Sequence, residues 1–427
     1  MSGPPGGCLM RVLVITPFYT PDLGPSAPLF TMLCEDLVRL GHRVSVISAV
    51  PHYPSGSVGE PFRGRLVQRE ELNGVDVTRV WVPSVDRSRL APRMLAFAAY
   101  QALAAVAGLR RQYDALIVSS PALETFLSYV VLGVLRRKLI LYSVHEIYPD
   151  IGVKLGVFRH RTVIRALEMM EAFCYRRARR VRVLSEGYAG ALRAKGVPAE
   201  KISVIYDWLD TAFIQPRPRS NPFSRNWGLE DEFVVMYAGN LGYTQGLEQV
   251  LEAARLLAGE CSVRFVFVGD GAAKAGLEQA AAAGGLGNVR FIPMQPREAL
   301  PDVLASADVS LITLKKGFAS DSVPSKFYSI LASGRPLIAA VDDNGDTAGL
   351  ARESGGGLQV PPENPEKLAA AVLRLRAEDA ERRRMGERGR AFVVERHSRQ
   401  AAARAFDGLL RKPVRMLDNN QEAAPCE

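Results

Sequence analysis

Apolar strand-like runs alternate with helical stretches along this chain, the alternation stops once in a Pro-rich connector, and then it begins again. In the first half Arg11–Thr16 (RVLVIT) reads as a buried strand, Ser26–Leu40 as a helix and Arg43–Ser48 as a second strand. Val67–Val82 carries a hairpin at Asn73-Gly74, and Ala115–Ser119, Leu139–Ser143 and Val181–Ser185 are further strands with helices between them. The pattern halts at Gln215–Pro222 (QPRPRSNP). It resumes with strands Phe233–Ala238, Arg264–Val268, Val289–Ile292 and Val309–Leu314, separated by helices Leu247–Leu257, Ala272–Ala283 and Arg297–Ser306, and Ser398–Leu410 closes it as a last helix. Strands separated by helices pair in parallel, so each half is expected to be an α/β doubly wound sheet. A chain of 427 residues with 48% apolar content also exceeds what one ordinary core absorbs. The expected organisation is a disordered leader over 1–9, a first domain over 10–214, a linker over 215–229, a second domain over 230–396, a terminal helix over 397–412 and a frayed tail over 413–427.

Doubly wound sheets hold ligands beyond the carboxyl ends of their strands. The loops at those ends are Pro17–Gly24, Ser143–Pro149, Gly239–Gly246, Gly269–Gly271 and Ser320–Lys326, all polar or Gly-rich. The last runs through Ser325-Lys326 into a short apolar helix and then, past Gly334-Arg335-Pro336, into the strand-like Leu337–Ala340. Ser325 is placed to cap that helix, and Lys326 adds a full positive charge where free helix N–H groups favour an anion. The alternative for the same lysine is a solvated helix-start residue.

The net charge of +9 favours anionic partners without choosing among phosphate ligands, acidic membranes and nucleic acid. Nucleic acid is disfavoured, because neither aromatic-basic interleaving nor zinc-ligand spacing is present. Cys8, Cys34, Cys174, Cys261 and Cys426 are scattered and odd in number, which suits a reducing compartment. Leu90–Leu109 is long and apolar but contains Pro92, Arg93, Gln101 and Gly108; it is either a helix that packs in part and dips into a bilayer surface or a buried core helix. A second apolar run, Leu123–Leu135, ends in Arg136-Arg137-Lys138. Arg159, Arg161, Arg165, Arg176, Arg177, Arg179 and Arg180 crowd the first half, and on anionic lipid each such charge contributes roughly 1 kcal/mol.

Taken in order, TPFYTPDLGPSA, VHEIYPDIGVKLG, YAGNLGYTQGLEQVLEAA, FVGDG and SVPSKFYSILASGRPLIA resemble the retaining glycosyltransferases of family 4, above all the branch that builds bacterial capsule, exopolysaccharide and lipid-linked oligosaccharide. The resemblance runs from about Met10 to about Leu410. It implies a GT-B fold, with two Rossmann-like domains facing a central cleft and the C-terminal helix crossing back to the first domain. The implied activity is that of a retaining hexosyltransferase moving a sugar from a nucleoside diphosphate, with UDP favoured, to a polyprenyl-diphosphate-linked or saccharide acceptor. No metal and no cofactor are implied, and the expected location is the cytoplasm, peripherally on the inner face of the cell membrane.

Loss of a nucleoside diphosphate builds charge on the leaving oxygen, which amides and cations must meet where no metal serves. The resemblance places the glycine turn at Gly239-Asn240-Leu241-Gly242, with Gln245-Gly246 where a Lys-Gly pair is commoner, and adds Gly269, Asp270 and, from the first domain, Gly24. Lys326, assisted by Lys315 or Lys316, is then the side-chain cation, with Ser325 beside it. The family's paired acids fall on Asp321, which would hydrogen-bond the donor sugar, and on Ser329, where a hydroxyl replaces the carboxylate that holds the ribose. His145 matches a histidine near the donor sugar, while Glu146 and Asp150 match residues on the acceptor side. Structural roles remain open for each: a turn cap for Asp321, a loop histidine for His145, a plain turn glycine for Gly24. The change at Ser329 keeps a noncatalytic relative in view, and a sugar-nucleotide epimerase is a further alternative. A nicotinamide dehydrogenase is disfavoured because Thr16-Pro17-Phe18-Tyr19, and no glycine-rich turn, follows the first strand.

Overall fold

The computed structural model describes residues 9–86, 89–154, 156–317 and 323–411; the expected tail, and all of the expected leader but Leu9, lie outside them. Strands β1 (Arg11–Ile15), β2 (Arg43–Ala49), β3 (Val67–Leu72), β4 (Val75–Val80), β5 (Ala115–Ser119), β6 (Leu139–Val144), β7 (Arg180–Val183) and β8 (Ile202–Val204) form one sheet in the order β3-β4-β2-β1-β5-β6-β7-β8. Strands β9 (Phe233–Ala238), β10 (Val263–Val268), β11 (Val289–Ile292), β12 (Val309–Thr313), β13 (Leu337–Ala340) and β14 (Gly357–Val360) form a second, in the order β11-β10-β9-β12-β13-β14. All paired strands of the second sheet are parallel. In the first sheet β3 runs antiparallel to β4 through the Asn73-Gly74 turn that the sequence announces. Both sheets are therefore the doubly wound α/β type expected from the alternation. Backbone contacts group the described residues into one unit of 9–25, 37–182 and 404–411 and another of 26–36 and 183–403.

Strand order reverses between β1 and β5 in the first sheet and between β9 and β12 in the second, and such reversals open a crevice above the sheet edge. In the second sheet the reversal also interrupts the core. Side chains alternate across a strand, so Val235, Tyr237, Phe265, Phe267, Val309 and Leu311 share one face, where Leu251, Leu277, Leu368 and Val372 from three helices cover them in a single cluster. The opposite face carries two clusters. Val234, Met236, Val266 and Val268 pack with Phe223 and Val303, while Ile312 and Ala339 pack with Leu304, Phe327, Ile330 and Phe392. The seam between them follows the β9–β12 boundary.

The Pro-rich connector is pinned to this second sheet. Arg217 Nη1 bonds Asp302 at 2.9 Å, Arg219 Nε bonds Asp308 at 2.9 Å, and the Asn221 side chain caps the helix Pro222–Asn226 in a reciprocal box with Ser224. Several elements are absent from the sequence reading, among them the short strands β8 and β14, the helices Asp346–Ser354 and Pro365–Ala377, and the helix Asp379–Arg396, whose Met385, Phe392 and Val393 are buried under a heavily charged exterior.

In the first unit, helix Leu90–Leu109 packs Ala96, Phe97, Tyr100 and Ala104 inward and leaves Leu95, Val106 and Leu109 exposed. It is long and apolar enough to cross a membrane by length and composition, and about 33% of its apolar window is buried. The wholly buried alternative is thereby corrected: one face packs against β2, β4 and the helix Ala122–Ser128, and the other does not.

Candidate functional site

A cavity of about 580 Å3 lies in the second unit at the β9–β12 reversal. Gly239, Asn240 and Gln245 line it from the loop after β9, Ser325, Lys326, Ser329 and Ile330 from the segment before β13, and Met294, Gln295, Pro296 and Arg297 from the loop after β11. Six residues singled out from the sequence thus come together: Gly239, Asn240, Gln245, Ser325, Lys326 and Ser329.

The glycine turn is held open by its neighbours. The Gly239 amide donates to the Val268 carbonyl at 2.9 Å and the Leu241 amide to the Asp270 carbonyl at 2.8 Å. The amides of Asn240, in the cavity wall, and of Gly242, outside it, find no partner among the described residues and remain open donors. Behind the turn stands Tyr237, its hydroxyl 2.8 Å from the Asn240 carbonyl and 2.9 Å from the Gln245 side-chain oxygen. Gly239 has φ +134, a conformation that favours glycine, and the position its Cβ would take lies in ordinary contact, 3.5 Å from Lys326 Nζ.

Lys326 begins the helix Lys326–Ala332, and its Nζ rests 3.7 Å from the centroid of the Tyr237 ring. A cation over an aromatic face is held electrostatically. Burial nevertheless pushes its pKa down to about 7. The lysine is therefore not the solvated surface charge that the blander reading allowed.

Ser325 departs from expectation. Its backbone is helical (φ −56, ψ −27), and its side chain makes no capping bond, because capping an α-helix requires an extended residue there. Its carbonyl accepts instead from the Ser329 hydroxyl at 3.2 Å. Ser329 lines the cavity with that hydroxyl proton committed and its lone pairs open to a ligand. Asp321 lies outside the described residues.

Gly246, Gly269 and Asp270 are not in the cavity wall, and neither are Lys315 and Lys316. Lys315 approaches Glu248 at 3.7 Å. Gly269 and Asp270 brace the turn from behind: a Cβ on Gly269 would fall 2.0 Å from the Gly239 carbonyl oxygen, and the Asp270 carboxylate accepts from the Gly271 amide at 2.8 Å. Among the described residues no group of three His, Cys, Asp or Glu is placed to hold a metal ion.

The other predicted residues belong to the first unit. His145 follows β6, its amide donating to Ser120 Oγ at 2.8 Å and its Nε2 3.2 Å from Ser143 Oγ. Glu146 reaches solvent, yet the protein around it raises its carboxyl above the usual range, with Arg93 offsetting part of that. Asp150 opens the helix Asp150–Lys154. Gly24 is explained by packing: its amide is taken by Asp22 Oδ1 at 2.8 Å, and a Cβ would strike the Phe18 ring at 2.3 Å.

The sequence reading missed Tyr237, Ser310 and the loop Met294–Arg297. The last had a signal, since it follows a strand that had been recognised and any loop at that edge is a candidate. Tyr237 stands two positions before Gly239, but nothing in sequence shows that its ring lies under a lysine 89 positions away.

Two family models match the chain: that for glycosyl transferases group 1 over residues 221–392 and that for the glycosyl transferase 4-like domain over residues 26–208. The chain is 29% identical over 375 residues to a protein named as colanic acid biosynthesis glycosyl transferase WcaI in Escherichia coli (strain K12), covering 85% of this chain and 91% of that one. It is 26% identical over 376 residues to a GDP-mannose-dependent alpha-mannosyltransferase of Mycobacterium tuberculosis, covering 86% and 88%. Among solved structures, HepE of Anabaena in complex with UDP superposes with a TM-score of 0.65 at 19% identity, over 94% of this chain and 99% of that one. With both halves matched and two parallel α/β sheets in place, the chain belongs to glycosyltransferase family 4, with the GT-B fold.

Proposed function

We propose that this protein moves a sugar from a nucleoside diphosphate, UDP being favoured, to a hydroxyl of a lipid-linked or polysaccharide acceptor, retaining the anomeric configuration and using no metal. The observation that carries the proposal is the convergence, at one strand-order reversal, of Lys326, Asn240 with its unpartnered amide, Ser325, Ser329 and Gln245 around one cavity. These are donors and a cation suited to a diphosphate and ribose, in a cavity large enough for a nucleotide. HepE was solved with UDP, and the mannosyltransferase is named for GDP-mannose, so similar proteins span two bases.

In the proposed reaction the bond between the anomeric carbon and the phosphate oxygen breaks while the acceptor oxygen bonds the same face of that carbon. The acceptor proton passes to the departing phosphate, and no side chain acts as a dedicated base. Lys326 and the turn amides meet the charge that develops on the diphosphate. Ser329 accepts from a ribose hydroxyl, while Asp321 and His145 address the donor sugar. Glu146 and Asp150 belong with the acceptor, and the loop that carries Gly24 approaches the diphosphate. The exposed Leu95, Val106 and Leu109, together with the arginines of the first half, suit docking on an anionic cytoplasmic membrane surface.

The test is to incubate the protein with UDP-hexoses and GDP-mannose, with and without a polyprenyl-diphosphate-linked saccharide, in the presence of a chelator. Acceptor-dependent release of nucleoside diphosphate and a product whose NMR coupling shows the donor's anomeric configuration are expected. An inverted product removes retention, and chelator-sensitive transfer removes metal independence. Donor conversion without acceptor points to the epimerase, and donor binding without transfer points to a noncatalytic relative.

A further inference from the structure

The inner end of the cavity differs from its mouth. The exposed or half-buried Lys326, Asn240, Gln245, Ser325 and Ser329 make the mouth polar, whereas the buried Val268, Val303, Leu304 and Ile330 make the interior apolar. Within that apolar interior lies Ser310, on the central strand β12. It is 2% exposed, and its Oγ has no hydrogen-bond partner among the described residues.

Alternation along β12 tells which way that hydroxyl points. Val309 and Leu311 belong to the cluster on one face of the sheet, and Ile312 belongs to a cluster on the other. Ser310 therefore shares the face of Ile312, beneath the helices Leu300–Ala305 and Lys326–Ala332. It is level with Met236 of β9, on the seam where the two hydrophobic clusters of that face fail to meet. Strands buried on both faces of a parallel sheet are ordinarily filled by Val, Ile and Leu. The buried serines that cap the C-termini of those two helices relieve burial by bonding back to their own helix, Ser306 to the Asp302 carbonyl at 2.8 Å and Ser333 to the Ile330 carbonyl at 2.7 Å. A strand serine has no such carbonyl in reach, so a buried hydroxyl at this position costs stability unless something enters to bond it.

We infer that Ser310 hydrogen-bonds the polar edge of the donor's nucleobase at the floor of this cavity and thereby sets which base the protein accepts. The inference rests on the nucleotide-sugar reading of the site. A flat heterocycle with one apolar face to each wall and a polar edge inward matches the lining, and the diphosphate attached to it then reaches Lys326 at the mouth. A site built to bond a polar edge rejects ligands that leave its hydroxyl unpaired far more strongly than an apolar slot would.

The experiment is calorimetric titration of the full chain and of Ser310→Ala with UDP, GDP, CDP and inorganic pyrophosphate, alongside thermal melts. The wild type is expected to prefer one nucleotide. Ser310→Ala should bind that nucleotide at least tenfold more weakly, with a narrowed preference among bases, pyrophosphate affinity within twofold and an undiminished melting temperature, since no hydrogen bond is lost in the free protein. Equal nucleotide affinity in the two proteins overturns the role of Ser310 and leaves the donor reading standing. An equal loss for pyrophosphate also overturns it, because the effect would not be read through the base. A wild type that binds none of the nucleotides overturns the donor reading and this inference together.

Discussion

Lys326→Met is expected to cut sugar transfer at least tenfold, about 1.4 kcal/mol of transition-state stabilisation, and to abolish one component of the pH dependence of donor binding. The lysine pKa stands at about 7 against an ordinary 10.5, because burial over Tyr237 disfavours its charged form. A diphosphate supplies the missing counter-charge and binds the protonated lysine. Below about pH 7 the group is already charged and binding is insensitive to it. Above that, affinity falls by about tenfold per pH unit until the raised pKa of the complex is reached. Nucleotide titrations at pH 8 in buffers of different ionisation heat should therefore show uptake of close to one proton by the wild type and none by Lys326→Met. Pyrophosphate should behave likewise, since the effect lies in the phosphates. The stability of the free protein has the opposite slope. Between about pH 7 and 10.5 the unfolded chain holds a proton that the folded chain has shed, so this residue makes stability rise with pH across that window and exert its full cost below it. Binding that is flat above pH 7 with no proton uptake would remove Lys326 from the donor site.

Gly269→Ala is expected to destabilise the protein by about 3 kcal/mol or more, and to cost nucleotide binding in whatever fraction still folds. The residue has φ +148, a conformation that side chains rarely adopt, and the added Cβ would meet the backbone oxygen of Gly239 at 2.0 Å. Backbone cannot swing aside as a side-chain tip can. Relief would require moving the end of β9, and with it the turn that presents the Asn240 and Gly242 amides. Gly276→Ala is the internal control: that glycine lies within the helix Lys274–Ala283 with nothing within 4 Å of its would-be Cβ. It should stabilise by about 0.5–1 kcal/mol through helix propensity alone. Urea denaturation of both variants checks the pair; a Gly269→Ala midpoint equal to that of wild type would show that the turn is not braced from behind.

Much of the fold was legible because its signals are local. RVLVIT, FVVMYA and VSLIT are short runs bounded by turn residues, and period and length identify them as strands without knowledge of their partners. The helix Asp379–Arg396 escaped because its apolar residues are few and weakly periodic among about five turns of charge-rich sequence; only packing of Met385, Phe392 and Val393 against other elements gives it a buried face. Strand β14 escaped because Gly355-Gly356-Gly357 reads as loop, and its strand character comes from pairing with β13.

At the candidate site the division is similar. Loop positions after strands followed from the alternation, and Gly239, Asn240, Gln245, Ser325, Lys326 and Ser329 do line one cavity. Their chemical states did not follow. That Ser325 adopts a helical backbone, that Lys326 is half-buried over Tyr237, and that Gly24 is a glycine because of Phe18 are consequences of neighbours distant in the chain or of backbone angles that no residue type dictates.

By itself, then, the order of residues determined the class of both sheets, several of the loops that line the cavity and the family to which the chain belongs, because hydrophobic period and turn chemistry act over a few residues. Only the tertiary structure decided that a seam opens between two hydrophobic clusters at the β9–β12 reversal, that Ser310 stands unpaired in it and that an ammonium waits at its mouth. Burial and electrostatic environment are set by groups far apart in sequence, and they exist only once the chain has folded.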